Sequence, residues 1–436
     1  MDKLKKRVIP GPESTRLLEL AGKVEPPCSA DQLPIVWERA EGCRVWDVDG
    51  NEYLDITSGV LVTNVGHCHP HMVSTIQDQI TKLDNSYSFR TEMRIKAAEL
   101  IVSATPVNLN QVFMLTTGAE ATEAALRIAR LFHGKQEVLA FQGAFHGKTY
   151  GAMSVAGSIS TKKGFGSGVP GTITAPYPNC YRCFYEKTYP DCDTYCLKSL
   201  DRIVDAESWG DLGTVIIEPY QGAAGFIFPP DGFLKELEIW ARERDLILIV
   251  DEVQASFGRT GKMFMIEWED VHPHLLALGK GMGSSLPASA VVGEEEIFSA
   301  VGTSGLSSTW GGNPVCSSAV VAVFEIIDKE NLLESCSQVG SYLKEGFITL
   351  KKKYDMLGDV RGKGLVIGLE FVQNGKEPDP ELTSKVVFAA AERGLMLGKL
   401  GLHGNVIRVA PPLTFTREEA DLCLEIFDSA IASVLD

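Results

Sequence analysis

The sequence has 436 residues, 44% apolar and 22% charged, a balance that suits a soluble globular chain with a large core and more than one lobe. Its 41 basic against 57 acidic residues give a formal charge of −16, which excludes a general nucleic-acid backbone binder but leaves room for a local anion pocket. The opening MDKLKKRVIPGPEST is basic but lacks the apolar segment of a signal peptide, and no stretch approaches the roughly 18 apolar residues of a membrane span. The expectation is a cytoplasmic protein with no membrane partner.

In chain order, the first 34 residues carry prolines at 10, 12, 26, 27 and 34 and read as an extended arm. CRVWDVDGNEYLDITSG then alternates and turns at Asp49-Gly50, a hairpin signature. Residues 1–65 are therefore assigned to an arm and hairpin packing with the smaller domain. The histidines of GHCHPH, His67, His69 and His71, sit at period two beside a proline with no carboxylate in register, and read as turn and surface residues.

From 66 to 325 helical patterns alternate with short apolar strands. QVFMLTTGAEATEAALRIARLFHG gives a strand, a Thr-Thr-Gly turn and a helix, and EVLAF, GTVIIEP, LILIVDE and LLALG are further strands. Such repetition predicts an α/β domain with a mostly parallel sheet covered on both faces. Residues 326–436 change pattern, with a helix, DVRGKGLVIGLEFV, a second helix, NVIRVAPPLTFT and a last helix. They predict a smaller α+β domain.

Two glycine motifs fail on spacing. GAFHGKT leaves three residues between its glycines where a phosphate-binding P-loop needs four, and GKGLVIG lacks the spacing of a dinucleotide fingerprint. Six of the ten cysteines are scattered and read as reduced thiols. The other four, Cys180, Cys183, Cys192 and Cys196, form a C-x2-C and a C-x3-C in a Tyr-rich insert. They suit either a zinc or iron–sulfur site or reduced thiols in a surface excursion.

LILIVDEVQASFGRTG, residues 246–261, is the most informative stretch, because a buried-strand pattern ends on carboxylates that must meet a cation, donors or water. The next apolar run ends at Lys280 between glycines, 29 residues beyond Asp251 and so about one crossover away. A desolvated lysine has a lowered pKa and can attack a carbonyl, and a neighbouring strand-end carboxylate can keep a pyridine nitrogen protonated. The pair is what pyridoxal phosphate requires. TTGAEATEAAL offers a helix N-terminus for its phosphate at Gly118 and Ala119, and FQGAFHGKT places Phe145 in a glycine-flanked loop where it can stack on a ring.

These residues resemble the class III pyridoxal-phosphate aminotransferases of fold-type I. The likeness runs from WDVDGNEYLDITSG to IRVAPPLTFT through TTGAEATEAALRIAR, FHGKT, IIEPYQG, VDEVQASFGRTG, GKGMG and STWGGNP. It implies a large domain with a mostly parallel seven-stranded sheet, and Lys280 as the Schiff-base lysine and proton shuttle. It also implies Asp251 as partner of the pyridine nitrogen, Gln254 as donor to the ring's phenolic oxygen, and Thr309 reaching the phosphate from a partner subunit. The assembly implied is a homodimer with shared active sites, open to pairing into a tetramer.

For substrate, the likeness assigns Arg408 to a carboxylate and places Glu218 near the cofactor. Val60 keeps one wall apolar, and Ala223 stands where 4-aminobutyrate and ornithine aminotransferases usually have a glutamate that pairs with the arginine. The implied reaction moves an amino group from an amine or amino acid to a 2-oxo acid, pyruvate or 2-oxoglutarate. Racemisation or epimerisation, decarboxylation and elimination are the alternatives on the same cofactor.

Overall fold

The computed structural model describes residues 6–28, 33–158, 162–166 and 168–435. Strands β1 (Trp37–Glu41), β2 (Arg44–Asp47) and β3 (Glu52–Asp55) pair antiparallel, with Gly50 at φ 79° in the turn between the last two. The arm before them departs from the extended reading, because Pro12–Val24 is a helix. Pro12 opens its first turn, where a missing N–H costs nothing. The hairpin-turn residue Asp49 accepts from the N–H groups of Glu13 at 2.7 Å and Ser14 at 2.9 Å, satisfying donors a helix start leaves orphaned.

The central sheet uses β4 (Gln111–Leu115), β5 (Glu137–Phe141), β6 (Thr172–Ala175), β7 (Leu212–Ile217), β8 (Ile247–Asp251), β9 (Leu275–Leu278) and β10 (Ser289–Gly293). Its order is β4-β10-β9-β8-β7-β5-β6, with β10 antiparallel to both neighbours and the other strands sharing one direction. Strand alternation divides the core. Leu248, Val250 and Leu276 join one cluster, while Ile247, Ile249 and Ala277 join another with Ala121, Ala124 and Ala125 of the helix Gly118–His133. By that parity the side chain of Asp251 leaves β8 on the face this helix covers.

The connection from β8 to β9 contains no crossover helix, only a 3₁₀ turn at Met265–Trp268. Glu252, the second carboxylate of VDE, holds that turn by accepting from the N–H groups of Met265 at 3.0 Å and Ile266 at 2.8 Å. Burial pushes its pKa up to about 8 despite those donors.

The rest of the chain gives helices Pro314–Lys329 and Leu332–Lys353, then β11 (Leu357–Lys363), β12 (Val366–Gln373) and β13 (Glu377–Pro378). Helix Pro380–Glu392, β14 (Leu395–Met396), β15 (Gly398–Leu400), β16 (Val406–Val409) and helix Arg417–Leu435 complete it. β11-β12-β16-β15 form an antiparallel sheet. β14 pairs parallel with β3, tying the N-terminal hairpin to the C-terminal segment.

Candidate active site

The carboxyl ends of adjacent parallel strands converge, as ligand crevices of open α/β sheets do. Glu218 follows β7, whose Ile217 is in register with Val250 of β8, and Asp251 is in register with Ala277 of β9. Lys280 follows β9 in a short 3₁₀ turn with φ at +44°, a conformation non-glycine residues adopt only when their surroundings impose it. Asp251 and Glu218 are buried, and Lys280 keeps only partial exposure. Burial pulls the Lys280 amine down to about pKa 8, against the opposing charges of Asp251 and Glu218 and with the help of the Arg408 cation.

His146, beside Phe145 in the loop after β5, was not singled out from the sequence. Its Nδ1 lies 2.7 Å from Asp251 Oδ2, and the other oxygen of Asp251 accepts from Val253 N–H at 3.0 Å. Burial opposes charge on His146, but the hydrogen bond and charge of Asp251 outweigh it, so its pKa is raised. Glu218 accepts from the N–H groups of Phe145 at 2.9 Å and Gly222 at 3.0 Å, and burial pushes its pKa up to about 7. Its carboxyl group thus fixes the loop that carries Phe145. The signal for His146 was its place in FHGKT, after a strand next to the one that ends near Asp251.

Thr117 caps the helix Gly118–His133 with Glu120 in a capping box, so the helix begins where β4 ends. The amides of Gly118 and Ala119 precede the point at which helix carbonyls accept, which suits an anion. Side-chain bulk is excluded there, since a Cβ on Gly118 would lie 2.5 Å from Val253 Cγ1 and one on Gly279 3.1 Å from the same atom.

Gln254 Oε1 is buried with no hydrogen-bond partner, and a Cβ on Gly222 would come within 2.1 Å of it. A buried carboxylate backed by an imidazole, a low-pKa amine and the first amides of a helix fit the ring nitrogen, aldehyde and phosphate of pyridoxal phosphate, while the orphaned Gln254 oxygen is an acceptor and not the donor expected for the phenolic oxygen. The site would hold its phosphate on Gly118 and Ala119, its ring nitrogen on Asp251, its ring face on Phe145 and its aldehyde carbon on Lys280.

Arg408, on β16, is buried, and no hydrogen-bond or ion-pair acceptor lies against it among the described residues; its Nε is fully enclosed. Burial lowers its pKa to about 10, with Asp55 pulling the other way. With Val60, Trp37 and Met396 it lines a cavity of about 300 Å³. Phe145 and Ala223 line a second of about 480 Å³ with Gly143, Gly401 and Leu402. Thr309 lies exposed, outside the buried cluster, in a loop whose Gly311 packs on the carbonyl of Met114 at the end of β4.

The metal expectation for Cys180, Cys183, Cys192 and Cys196 is corrected. The four line one small pocket, but among the described residues no three His, Cys, Asp or Glu side chains are placed to hold a metal ion. Tyr185 and Tyr195 pack edge to face there at 5.0 Å, and burial raises the pKa of Cys180 and pushes Cys196 up to about 11. Of the GHCHPH histidines, His71 is exposed as read, His69 is partly covered and His67 is buried, and each meets a carboxylate. His67 pairs with buried Asp55 at 2.9 Å, His69 with Glu330 and His71 with Glu325, each at 2.8 Å.

Residues 27–431 match the family model described as aminotransferase class-III. An alanine/serine racemase of Pyrococcus horikoshii is 36% identical, covering 98% of this chain and 92% of its own. A 4-aminobutyrate aminotransferase of Mycobacterium leprae is also 36% identical, covering 94% of each. Among solved structures, a PLP-bound amine transaminase from an uncultivated Pseudomonas species superposes with a TM-score of 0.88 at 28% identity, over 93% of this chain and 98% of that one.

Proposed function

This chain belongs to the class-III aminotransferases, and from that premise we propose that it transfers an amino group from an amine or amino acid to a 2-oxo acid, pyruvate or 2-oxoglutarate, with pyridoxal phosphate as cofactor. The observation that carries the reading is the pairing of Asp251 and Lys280 at the carboxyl ends of two adjacent parallel strands, within range of each other's charge. Bound there, pyridoxal phosphate supplies an aldehyde that an amine can condense with and a ring that accepts electrons from the substrate.

The chain's own residues then have separable tasks. Asp251, held by His146, stabilises positive charge at the ring nitrogen. Lys280, with a pKa near 8, carries a free lone pair on a useful fraction of molecules at neutral pH, and would take the proton from the substrate's Cα and hand it to the carbon on the far side of the nitrogen. Arg408 receives the substrate carboxylate, for which its partnerless guanidinium in a 300 Å³ cavity is suited. Phe145 excludes water from one side.

The exposed Thr309, beside the strand that leads to the phosphate-binding turn, supports a homodimer in which each subunit completes its partner's site. All ten cysteines are unpaired, which supports the reducing cytoplasm as its location.

A second reading, racemisation, draws on the 36% identity to the alanine/serine racemase over nearly the whole chain. One experiment separates the two. Purified protein is mixed with an amino-donor panel without acceptor, and absorbance, product chirality and deuterium at Cα are followed. Loss of the ~410–430 nm band expected of a lysine-bound aldehyde, with accumulation of the aminated cofactor, supports transamination. Deuterium exchange with inversion and no accumulation sinks it.

A further inference from the structure

Arg259 lies outside the catalytic cluster, yet its side chain is fully buried with no carboxylate bonded to it. Its Nη1 donates to the carbonyls of Pro411 at 2.9 Å and Ala410 at 3.3 Å and to Ser58 Oγ at 3.3 Å, while its Nε and Nη2 have no partner. A buried cation with unpaired donors is expensive, so a fold that keeps one draws something else from it.

What Arg259 joins is informative. Ser58 opens a left-handed turn in which Ser58, Gly59, Val60 and Leu61 have φ of 42°, 57°, 70° and 60°. Successive left-handed residues are unfavourable for L-amino acids, and for a β-branched valine most of all. Such a turn persists only when its surroundings over-determine it. Here Ser58 Oγ donates to the Ala410 carbonyl at 2.7 Å, Ala410 N–H donates to Ile56 at 2.8 Å, and Arg259 clamps Ser58 and Ala410 together.

The turn carries Val60 on one wall of the 300 Å³ cavity. Ala410 follows by two residues the arginine that lines the same cavity. The same segment is wired to the cofactor side. Asn64 N–H₂ donates to the Phe257 carbonyl at 2.7 Å, and a Cβ on Gly281, next to Lys280, would lie 2.2 Å from Asn64 Nδ2.

We infer that Arg259 and Ser58 are positioning residues for substrate recognition, which lock the left-handed turn to the end of β16 and so set the gap in which a substrate carboxylate meets Arg408. This rests on the reading of Arg408 as the carboxylate anchor. Arginine suits the post because its rigid planar head holds Nη1 between the three acceptors, a placement the flexible stem of a lysine does not fix.

The test uses holoenzyme and propionate, an unreactive carboxylate whose binding is independent of which reaction follows. Calorimetric Kd for propionate, cofactor absorbance and Tm are measured for wild type, Ser58→Ala, Arg259→Lys and Arg408→Ala. The inference expects Ser58→Ala to weaken propionate about tenfold and Arg259→Lys about tenfold or more, in line with the loss of one or more buried hydrogen bonds. The absorption band and its extinction stay unchanged, and with the preferred substrate the loss appears in KM while kcat stays within about twofold.

Arg408→Ala abolishes propionate binding. If it does, and Ser58→Ala and Arg259→Lys bind as wild type, the positioning role is wrong. Loss of propionate and of the cofactor band together in both variants also overturns it, since the residues then merely hold the fold. If Arg408→Ala itself binds propionate normally, the anchor assignment fails, and the inference falls with it for a distinguishable reason.

Discussion

His146 Nδ1 and Asp251 Oδ2 stand 2.7 Å apart with both side chains buried, so the carboxylate that ends β8 is held by an imidazole from the loop after β5. That bond fixes the orientation of Asp251 and leaves lone pairs for a ring nitrogen. Removing one hydrogen bond to a charged group costs about 1.5–3 kcal/mol, so His146→Ala should lower kcat about 10–100-fold, and Asp251→Ala more. Because the two act in series, the double variant should be within about twofold of Asp251→Ala alone. Independent, multiplying losses in single-turnover rates would show that His146 does not work through Asp251.

The charges around Lys280 predict a pH shift of definite sign. Its amine sits near pKa 8, and the negative charge of Glu218 is one of the influences holding it up. Glu218→Gln removes that charge, so the pKa should fall below about 8 and the free base should persist to lower pH. In cofactor-free protein, the rate of Lys280 labelling by trinitrobenzenesulfonate, read by peptide mass across pH, should therefore move its midpoint toward acid. A midpoint unchanged or moved to higher pH would mean that the two groups are not electrostatically coupled.

Much of this was legible in the sequence because buried parallel strands are uniform apolar runs. EVLAF coincides with β5, and LILIVDE and LLALG contain β8 and β9, which put Asp251 and Lys280 on adjacent strand ends. β6 and β10, TITA and SAVVG, were missed because four or five small and hydroxylated residues carry little periodic signal. The helix Pro12–Val24 was hidden because its cap comes from Asp49, far along the chain. The roles of His146 and Arg259 were hidden for a related reason. They act through distant contacts, His146 to Asp251 and Arg259 to Ser58, Ala410 and Pro411, that local pattern does not encode. Of the two readings the cysteine spacing left open, the structure bears on the metal only through how the side chains are placed, which spacing does not encode.

Gly118 predicts a rescue. A Cβ there would come 2.5 Å from Val253 Cγ1 and 3.1 Å from Val253 Cγ2, so Gly118→Ala must displace either Val253 or the start of the helix. Overpacking of this kind costs about 1–3 kcal/mol, and cofactor affinity should drop about tenfold as the first amides move. Val253→Ala leaves only its own Cβ, 3.4 Å from the new methyl, an ordinary contact. The double variant should recover most of the lost affinity in equilibrium titrations with pyridoxal phosphate. No recovery would place the damage elsewhere than this contact.

Ala223 offers a test of what Arg408 is free to bind. The Ala223 carbonyl accepts from Gly401 N–H at 3.1 Å, one residue beyond β15, and Gly398 of β15 is in register with Arg408. A Cβ on Gly398 would lie 2.4 Å from Arg408 Nη2, so the guanidinium runs along this ribbon, where no described residue accepts from it. Ala223→Glu adds a carboxylate to the exposed turn tied to the same ribbon. A charge-assisted pair between it and Arg408 would compete directly with substrate carboxylates. At about 1.5–3 kcal/mol for such a bond, KM for pyruvate or 2-oxoglutarate should rise about tenfold or more. The variant should also gain half-reaction rate with 4-aminobutyrate, whose reacting end carries no carboxylate. Added salt should soften the KM effect, because residue 223 lies on an exposed turn where its charge is screened. Unaltered KM with intact cofactor absorbance would mean that residue 223 and Arg408 do not meet, and that the preference among donors is set on the Val60 side of the cavity instead.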